Sequence, residues 1–240
     1  MLKVTVWNEF VHERKKEDIA KIYPDGIHGA IKEFLDADGE FEVTVATLDM
    51  ENCGITKELL DNTDVLLWWG HCAHEKVTEE AAQLVQQAVL SGMGFIALHS
   101  AHHSKPFKRL MGTTCNLSWR EDGDMERVWV IKPTHPIAQG IDRYFELTGE
   151  ETYAEPFDIP EPDELVFGGW YEGGEIFRSG CCFNRGSGKI FYFQPGHETF
   201  ATFKNPNVQT IIKNAIRWAA PTVRLPLECQ HIKKIETPSK

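Results

Sequence analysis

Gly94-Phe95-Ile96-Ala97-Leu98-His99-Ser100-Ala101-His102-His103 is a short apolar run that breaks off into polar, titratable residues. Such a run reads as a buried strand delivering side chains to a site, with His99 at the strand-to-helix turn. In α/β enzymes this turn holds a nucleophile or a ligand above the carboxyl edge of a parallel sheet, over the N-terminus of the next helix. Here a histidine takes that place.

The stretch before it repeats the pattern. Asp64-Val65-Leu66-Leu67-Trp68-Trp69 is continuously apolar after its first residue, as in a strand covered on both faces, and it ends in Gly70-His71-Cys72-Ala73-His74. Thr78 then caps a helix with Glu79 and Glu80 in its first turn, an apolar face from Ala81 to Val89, and Gly92 as its stop. A right-handed crossover makes the strands ending at Trp69 and His99 parallel neighbours. Residues 2–7 and 41–48 read as further strands, the first followed closely by His12. Residues 17–23 and 27–35 carry helical spacing on either side of Pro24.

Beyond the elbow the pattern loosens. Residues 128–131 read as a strand, Thr134-His135-Pro136 as a turn, and 153–163 as an acidic, proline-rich loop. Residues 165–167, 175–183 and 189–193 read as strands, the last two joined by a hairpin turn at Gly186-Ser187-Gly188. The last strand ends in Gln194-Pro195-Gly196-His197-Glu198. Asn205 then caps a helix with Pro206 at its first position and Val208, Ile211, Ile212, Ala215, Ile216 and Ala219 on one face. Residues 1–220 read as one domain. Residues 221–240, with Lys233, Lys234 and Lys240, read as a loose arm.

The 240 residues include 42% hydrophobic ones, enough for a full core, and carry a formal charge of −11. That charge argues against nucleic-acid partners and against a polybasic membrane surface. No apolar stretch of roughly 18 residues occurs, so the expected location is the cytoplasm. Six cysteines without CxxC spacing point to free, mostly buried thiols rather than a disulfide framework or a zinc knuckle.

Seven of the ten histidines (His12, His71, His74, His99, His102, His103, His197) fall at or just beyond strand ends, the edge where open α/β sheets bind ligands. Two chemistries fit. Imidazoles with a carboxylate can hold zinc or another divalent ion, with His71, His99 and His197 as ligands and Glu198 or Glu13 as ligand or base. Without metal, His99, His197 and Glu198 can exchange protons with sugar hydroxyls or a carbonyl. His99, His102 and His103 have the spacing to share a helix face. Cys72 and Ser100 lie near histidines but do not occupy the elbow, which weakens a covalent mechanism. Flat aromatic faces suit sugars, so Trp69 and Trp119 join His12 and His103 as expected substrate contacts, although one of Trp68 and Trp69 must face the core. Nothing indicates a nucleotide cofactor.

The elbow strand, the later His135-Pro136-Ile137-Ala138-Gln139-Gly140-Ile141 and Phe191-Tyr192-Phe193-Gln194-Pro195-Gly196-His197 together resemble the ThuA (trehalose utilisation) family over roughly residues 1–220. That family is similar in fold to class I glutamine amidotransferases. The resemblance implies a flavodoxin-like three-layer α/β sandwich with a mostly parallel central sheet and appended antiparallel strands. It departs from the amidotransferases at two places: their elbow holds a cysteine, and their later strand ends in His-Pro-Glu where Gly196-His197-Glu198 stands here. Glutamine hydrolysis is therefore not expected. The resemblance implies utilisation of a disaccharide, trehalose or a 3-keto derivative, and matches His12, His99 and His197 to the family's histidines. His71, His74 and His103 rest on the local pattern alone. The expectation is a sugar-modifying enzyme with a zinc-type site, set against a non-catalytic sugar-binding or regulatory module. A homo-oligomer is expected only because such assemblies are common.

Overall fold

The structure is a computed structural model and describes residues 1–237. In chain order its elements are β1 (Leu2–Asn8), α1 (His12–Lys15), α2 (Glu17–Ile22), α3 (Gly26–Asp36), β2 (Phe41–Thr47), α4 (Lys57–Asp61), β3 (Val65–Trp69), α5 (Glu79–Ser91), β4 (Gly94–Leu98) and α6 (Lys105–Met111). There follow β5 (Ser118–Arg120), β6 (Glu126–Val130), β7 (Tyr144–Leu147), β8 (Thr152–Ala154), β9 (Glu164–Tyr171), β10 (Ile176–Arg185), β11 (Gly188–Phe193) and α7 (Pro206–Ala219).

Nine strands form one sheet in the order β2-β1-β3-β4-β11-β10-β9-β6-β7. The first five run parallel, with Trp68 opposite Ala97 and Tyr192 opposite Ala97 in the adjoining ladders. β10, β9, β6 and β7 continue the sheet antiparallel.

Helices cover both faces of the parallel half, which is why β3 and β4 are buried at every position. Successive side chains alternate between the layers. Leu67, Trp69, Ile96 and Leu98 pack with Ile27 and Ile31 of α3 and Ile212 and Ile216 of α7. Leu66, Trp68, Phe95 and Ala97 pack with Val85 and Val89 of α5 and Phe107 of α6. Trp7 and Trp68 stack with ring centroids 3.7 Å apart.

The caps are where the residue types place them. The Thr78 hydroxyl accepts from the Ala81 N–H at 3.0 Å, and Asn205 Oδ1 accepts from the Asn207 N–H at 2.9 Å. Each such cap is worth about 1 kcal/mol.

The antiparallel half differs from expectation in extent. β9 runs through Gly168 and Gly169 to Tyr171, because these residues pair with Trp129, Val128 and Glu126 of β6 and the glycines do not interrupt the ladder. β5, β7 and β8 are three to four residues long, too short to leave a periodic signature. All six cysteines are free and four are buried.

After α7 the described residues form no helix or strand, although the Leu225 N–H donates to Ser91 O at 2.8 Å. Lys233 and Lys234 lie in that stretch, whereas Lys240 is outside the described residues. Among the described residues no helix is long and apolar enough to cross a membrane.

Candidate functional site

Four parallel strands end on the same edge, and each carries a histidine there. His12 follows β1, His71 follows β3, His99 follows β4 and His197 follows β11. The rings meet: His71 lies 5.3 Å from His12, 5.7 Å from His99 and 5.1 Å from His197, centroid to centroid. His99 has φ +53°, a left-handed backbone that costs a non-glycine residue roughly 1–2 kcal/mol. The strained turn aims its side chain into the cluster. Its Nδ1 can only donate to the Gln194 carbonyl, at 2.9 Å, so Nε2 is the nitrogen presented to the site.

The carboxylates come from elsewhere. Glu151 and its neighbour Glu150 sit between β7 and β8, Glu9 follows β1, and Glu198 follows His197. Glu9 accepts the N–H groups of His71, Cys72 and Ala73 at 3.0, 3.0 and 2.9 Å and so fixes the His71 loop. Glu150 does the same for the His197 loop, accepting the N–H groups of Gly196 and His197, each at 3.1 Å, and the Thr202 hydroxyl. That loop also needs Gly196, whose φ is +139° and where a Cβ would come within 2.7 Å of Phe203. Trp69 Nε1–H donates to the Gly196 carbonyl at 3.0 Å.

Charge is set by burial and by these contacts. Burial alone would depress the fully buried His99, but the adjacent Glu151 carboxylate outweighs it and holds the imidazole up to about 9. His197 is pushed down to about 4, first by burial and then by the charge of His99. Burial would raise Glu198, yet its contacts with His12 and His71 keep it far below the usual carboxylate range. The cluster thus separates a proton-holding His99 from a neutral His197, a division typical of functional sites.

His71, His99, His197 and Glu151 each offer one ligand atom, all within 4.8 Å of one another. His99 Nε2 is 2.9 Å from Glu151 Oε2, but off the line of a hydrogen bond. Among the described residues, His99 Nε2, His197 Nε2 and Glu151 Oε2 are buried without a hydrogen-bond partner. Buried polar atoms are ordinarily paired, so unpartnered atoms converging on one point fit a cation that takes the place of the His99 Nε2 proton. The outer nitrogens of His99 and His197 are bound by Gln194 and by Thr199, whose hydroxyl is 2.7 Å from His197 Nδ1, as metal-ligating imidazoles require.

Beside the cluster opens a cavity of about 430 Å³, lined by His71, His74, Ser100, His102, His103, Trp119, Glu151 and Tyr153 among others. Trp119, 63% exposed, stands at its rim on the β5–β8 ribbon. The adjacent Arg120 anchors that ribbon through Asp122, Asp124 and Glu175. Tyr153 stacks on His99, with centroids 5.2 Å apart, and its hydroxyl meets Ser100 Oγ at 2.8 Å.

Several expected residues fall differently. His102 and His103 do not join His99: the turn is a 3-10 helix, and their rings bind the Cys115 carbonyl and Asn116 Oδ1 instead, at 2.8 and 2.9 Å. Burial holds His102 and His103 below the ordinary imidazole range and His74 down to about 4, so they are neutral cavity walls. Trp69 is 1% exposed, which makes it a buried prop for the His197 loop rather than a sugar platform. Glu13 is drawn away by Asn8 Nδ2 and the Ile27 N–H, at 2.7 and 3.0 Å. Burial and its bond to Glu9 push the Cys72 thiol up to about 12, so it is no nucleophile. Glu9, Glu150, Glu151 and Gln194 escaped the sequence reading. The only trace of the middle pair is two adjacent glutamates in an aperiodic stretch.

A mixed sheet wrapped by helices, with an elbow at the end of its fourth strand, places the protein among the glutamine amidotransferase-like, flavodoxin-type α/β folds. A glutamine amidotransferase of Thermotoga maritima superposes with TM-score 0.57 at 9% identity, covering 91% of this chain and 97% of that one. A ThuA-like protein from Parabacteroides merdae superposes with TM-score 0.68 at 14% identity, covering 95% and 93%. A cytoplasmic protein of Salmonella typhimurium gives TM-score 0.62 at 11% identity, covering 92% and 100%. No curated protein matches by sequence. The family profile of ThuA, described as trehalose utilisation, matches residues 3–219, and the chain belongs to that family.

Proposed function

We propose that this protein is a cytosolic, divalent-metal-dependent enzyme of disaccharide utilisation, acting on trehalose or a 3-keto derivative of it. The observation that carries the reading is the convergence of His71, His99, His197 and Glu151 on one point, three of them through buried atoms that nothing else satisfies. Three imidazoles and one carboxylate suit zinc. Bound there, such an ion supplies a Lewis acid for a sugar oxygen.

The chain's own groups do the rest. Gln194 and Thr199 orient the ligand rings. Glu198, fully buried, sets its carboxylate against His12, His71 and His197 and lends the cluster negative charge. The neutral His102 and His103 present hydrogen-bonding ring atoms around the cavity, and Trp119 offers its exposed face at the mouth.

Elemental analysis of the purified protein, with turnover of trehalose and 3-keto-trehalose followed by NMR before and after chelation, tests this. Bound zinc and loss of turnover on chelation are expected. Trp119→Ala should raise KM a few-fold with the metal content unchanged, in keeping with an aromatic contact worth about 1 kcal/mol. Undiminished turnover in metal-free protein would refute the metal role, and binding of either sugar without conversion would make the protein a sugar-binding module.

A further inference from the structure

The His71 ring stands between two groups of ligand atoms and turns one nitrogen to each. Nε2 faces Glu151 Oε2 at 3.8 Å, on the side of His99 and His197. Nδ1 faces Glu198 Oε1 at 3.3 Å, on the side of His12, whose own Nδ1 is hydrogen-bonded to that same oxygen, a bond that a cation would replace. His12, His71 and Glu198 each offer an atom within 4.8 Å of the others.

An orienting carboxylate would give a simpler account of this second trio. Such a carboxylate accepts the outer N–H of a ligand histidine along the bond direction. Here His71 Nδ1 is buried and makes no hydrogen bond, the 3.3 Å contact to Oε1 lying off the bonding line. Glu198 is fully buried, and its second oxygen is also unpartnered, 3.7 Å from His197 Nε2. Ring and carboxylate therefore both span the two groups.

We propose a second divalent-cation subsite formed by His12 Nδ1, His71 Nδ1 and Glu198 Oε1, joined to the first through the His71 ring. It rests on the reading of His71, His99, His197 and Glu151 as a metal site, and adds a neighbour to it. A neutral imidazole has one N–H, so for both nitrogens to bind, that proton leaves to solvent and the ring becomes an imidazolate shared by two cations. Three protein ligands leave the second subsite an open position, as in catalytic sites.

Cobalt(II) is the probe. Full-length protein and His12→Ala are dialysed against it, counted by elemental analysis, and the cobalt signal is recorded by electron paramagnetic resonance. Two equivalents in the wild type and one in His12→Ala are expected. The wild-type signal per cobalt should be reduced by coupling through the shared ring. One equivalent in both proteins overturns the second subsite and leaves the first. Two in both puts the second cation elsewhere and overturns it as well. None in either overturns the metal reading itself. Should His12→Ala lose its fold by circular dichroism, the wild type decides alone, and two uncoupled ions there contradict the shared ring.

Discussion

The parallel half of the sheet sends four histidines to the site from strand ends, whereas the antiparallel half sends two buried glutamates, Glu150 and Glu151, from the turn between β7 and β8. The nitrogens that converge belong to the first half. The groups that hold the His197 loop and His99 in place come largely from the second, through Glu150 and Glu151. The first half supplies every ligand nitrogen, whereas the second supplies one ligand, Glu151, and the Glu150 brace of the His197 loop, so damage to the two should differ in kind.

The largest effect is expected in the first half. His99→Ala removes a ligand at the strained elbow, and cation affinity should drop by more than the roughly 10–100-fold that loss of an outer partner costs. Turnover should vanish while circular dichroism remains that of the wild type. Retention of full affinity would break the division between the halves.

Glu150→Gln is the counterpart in the second half. The amide loses one acceptor oxygen among three donors, so affinity should fall about 10–100-fold with every ligand still present. Stability should fall by about 1–3 kcal/mol, read from denaturant unfolding. A change in stability with no change in affinity would make Glu150 a purely structural residue.

Acidity offers a finer probe. In the protein without cation, His99 keeps a proton up to about pH 9 beside Glu151, on the nitrogen that would bind the cation. Uptake must release that proton, so affinity for the first cation should rise by about tenfold per pH unit from 7 towards 9. Calorimetry in buffers of different ionisation enthalpy measures the release directly, and a slope of zero would contradict it.

Glu126 should show a smaller effect of opposite use, on stability alone. Burial raises its carboxyl from the ordinary 4.5 to about 8, and Ser179 Oγ donates to it at 2.8 Å. Between those values the folded state binds more protons than the unfolded one, so this group's contribution to stability declines as pH rises through 4.5 to 8 and levels off above. Glu126→Gln should remove that slope in urea unfolding while leaving cation affinity intact.

The same division explains what could be read from sequence. β3 and β4 are apolar runs of five residues bounded by clear punctuation, and Thr78 and Asn205 carry their caps in the residue type, so the parallel half, its elbow and the four histidines were legible. His71 was placed by pattern alone and sits at the centre of the cluster. Glu151 was not legible because β7 and β8 are too short to show alternation and the turn between them has no periodic signal. Nor could spacing show that the chain after His99 winds as a 3-10 helix, sending His102 and His103 to Cys115 and Asn116. Adjacent strand residues face opposite ways, so of the tryptophans at 68 and 69 the sequence offers Trp69 as a substrate contact. Helices on both faces of the sheet bury both.

The central claim is that His71, His99 and His197 share one cation with Glu151. Crystals of the zinc-loaded protein, measured at the zinc absorption edge, test it most directly through an anomalous difference map. The account predicts a peak bonded to His71 Nε2, His99 Nε2, His197 Nε2 and Glu151 Oε2, at the roughly 2.0–2.2 Å of zinc to nitrogen and oxygen ligands. A loaded crystal with no peak among these four atoms would contradict it.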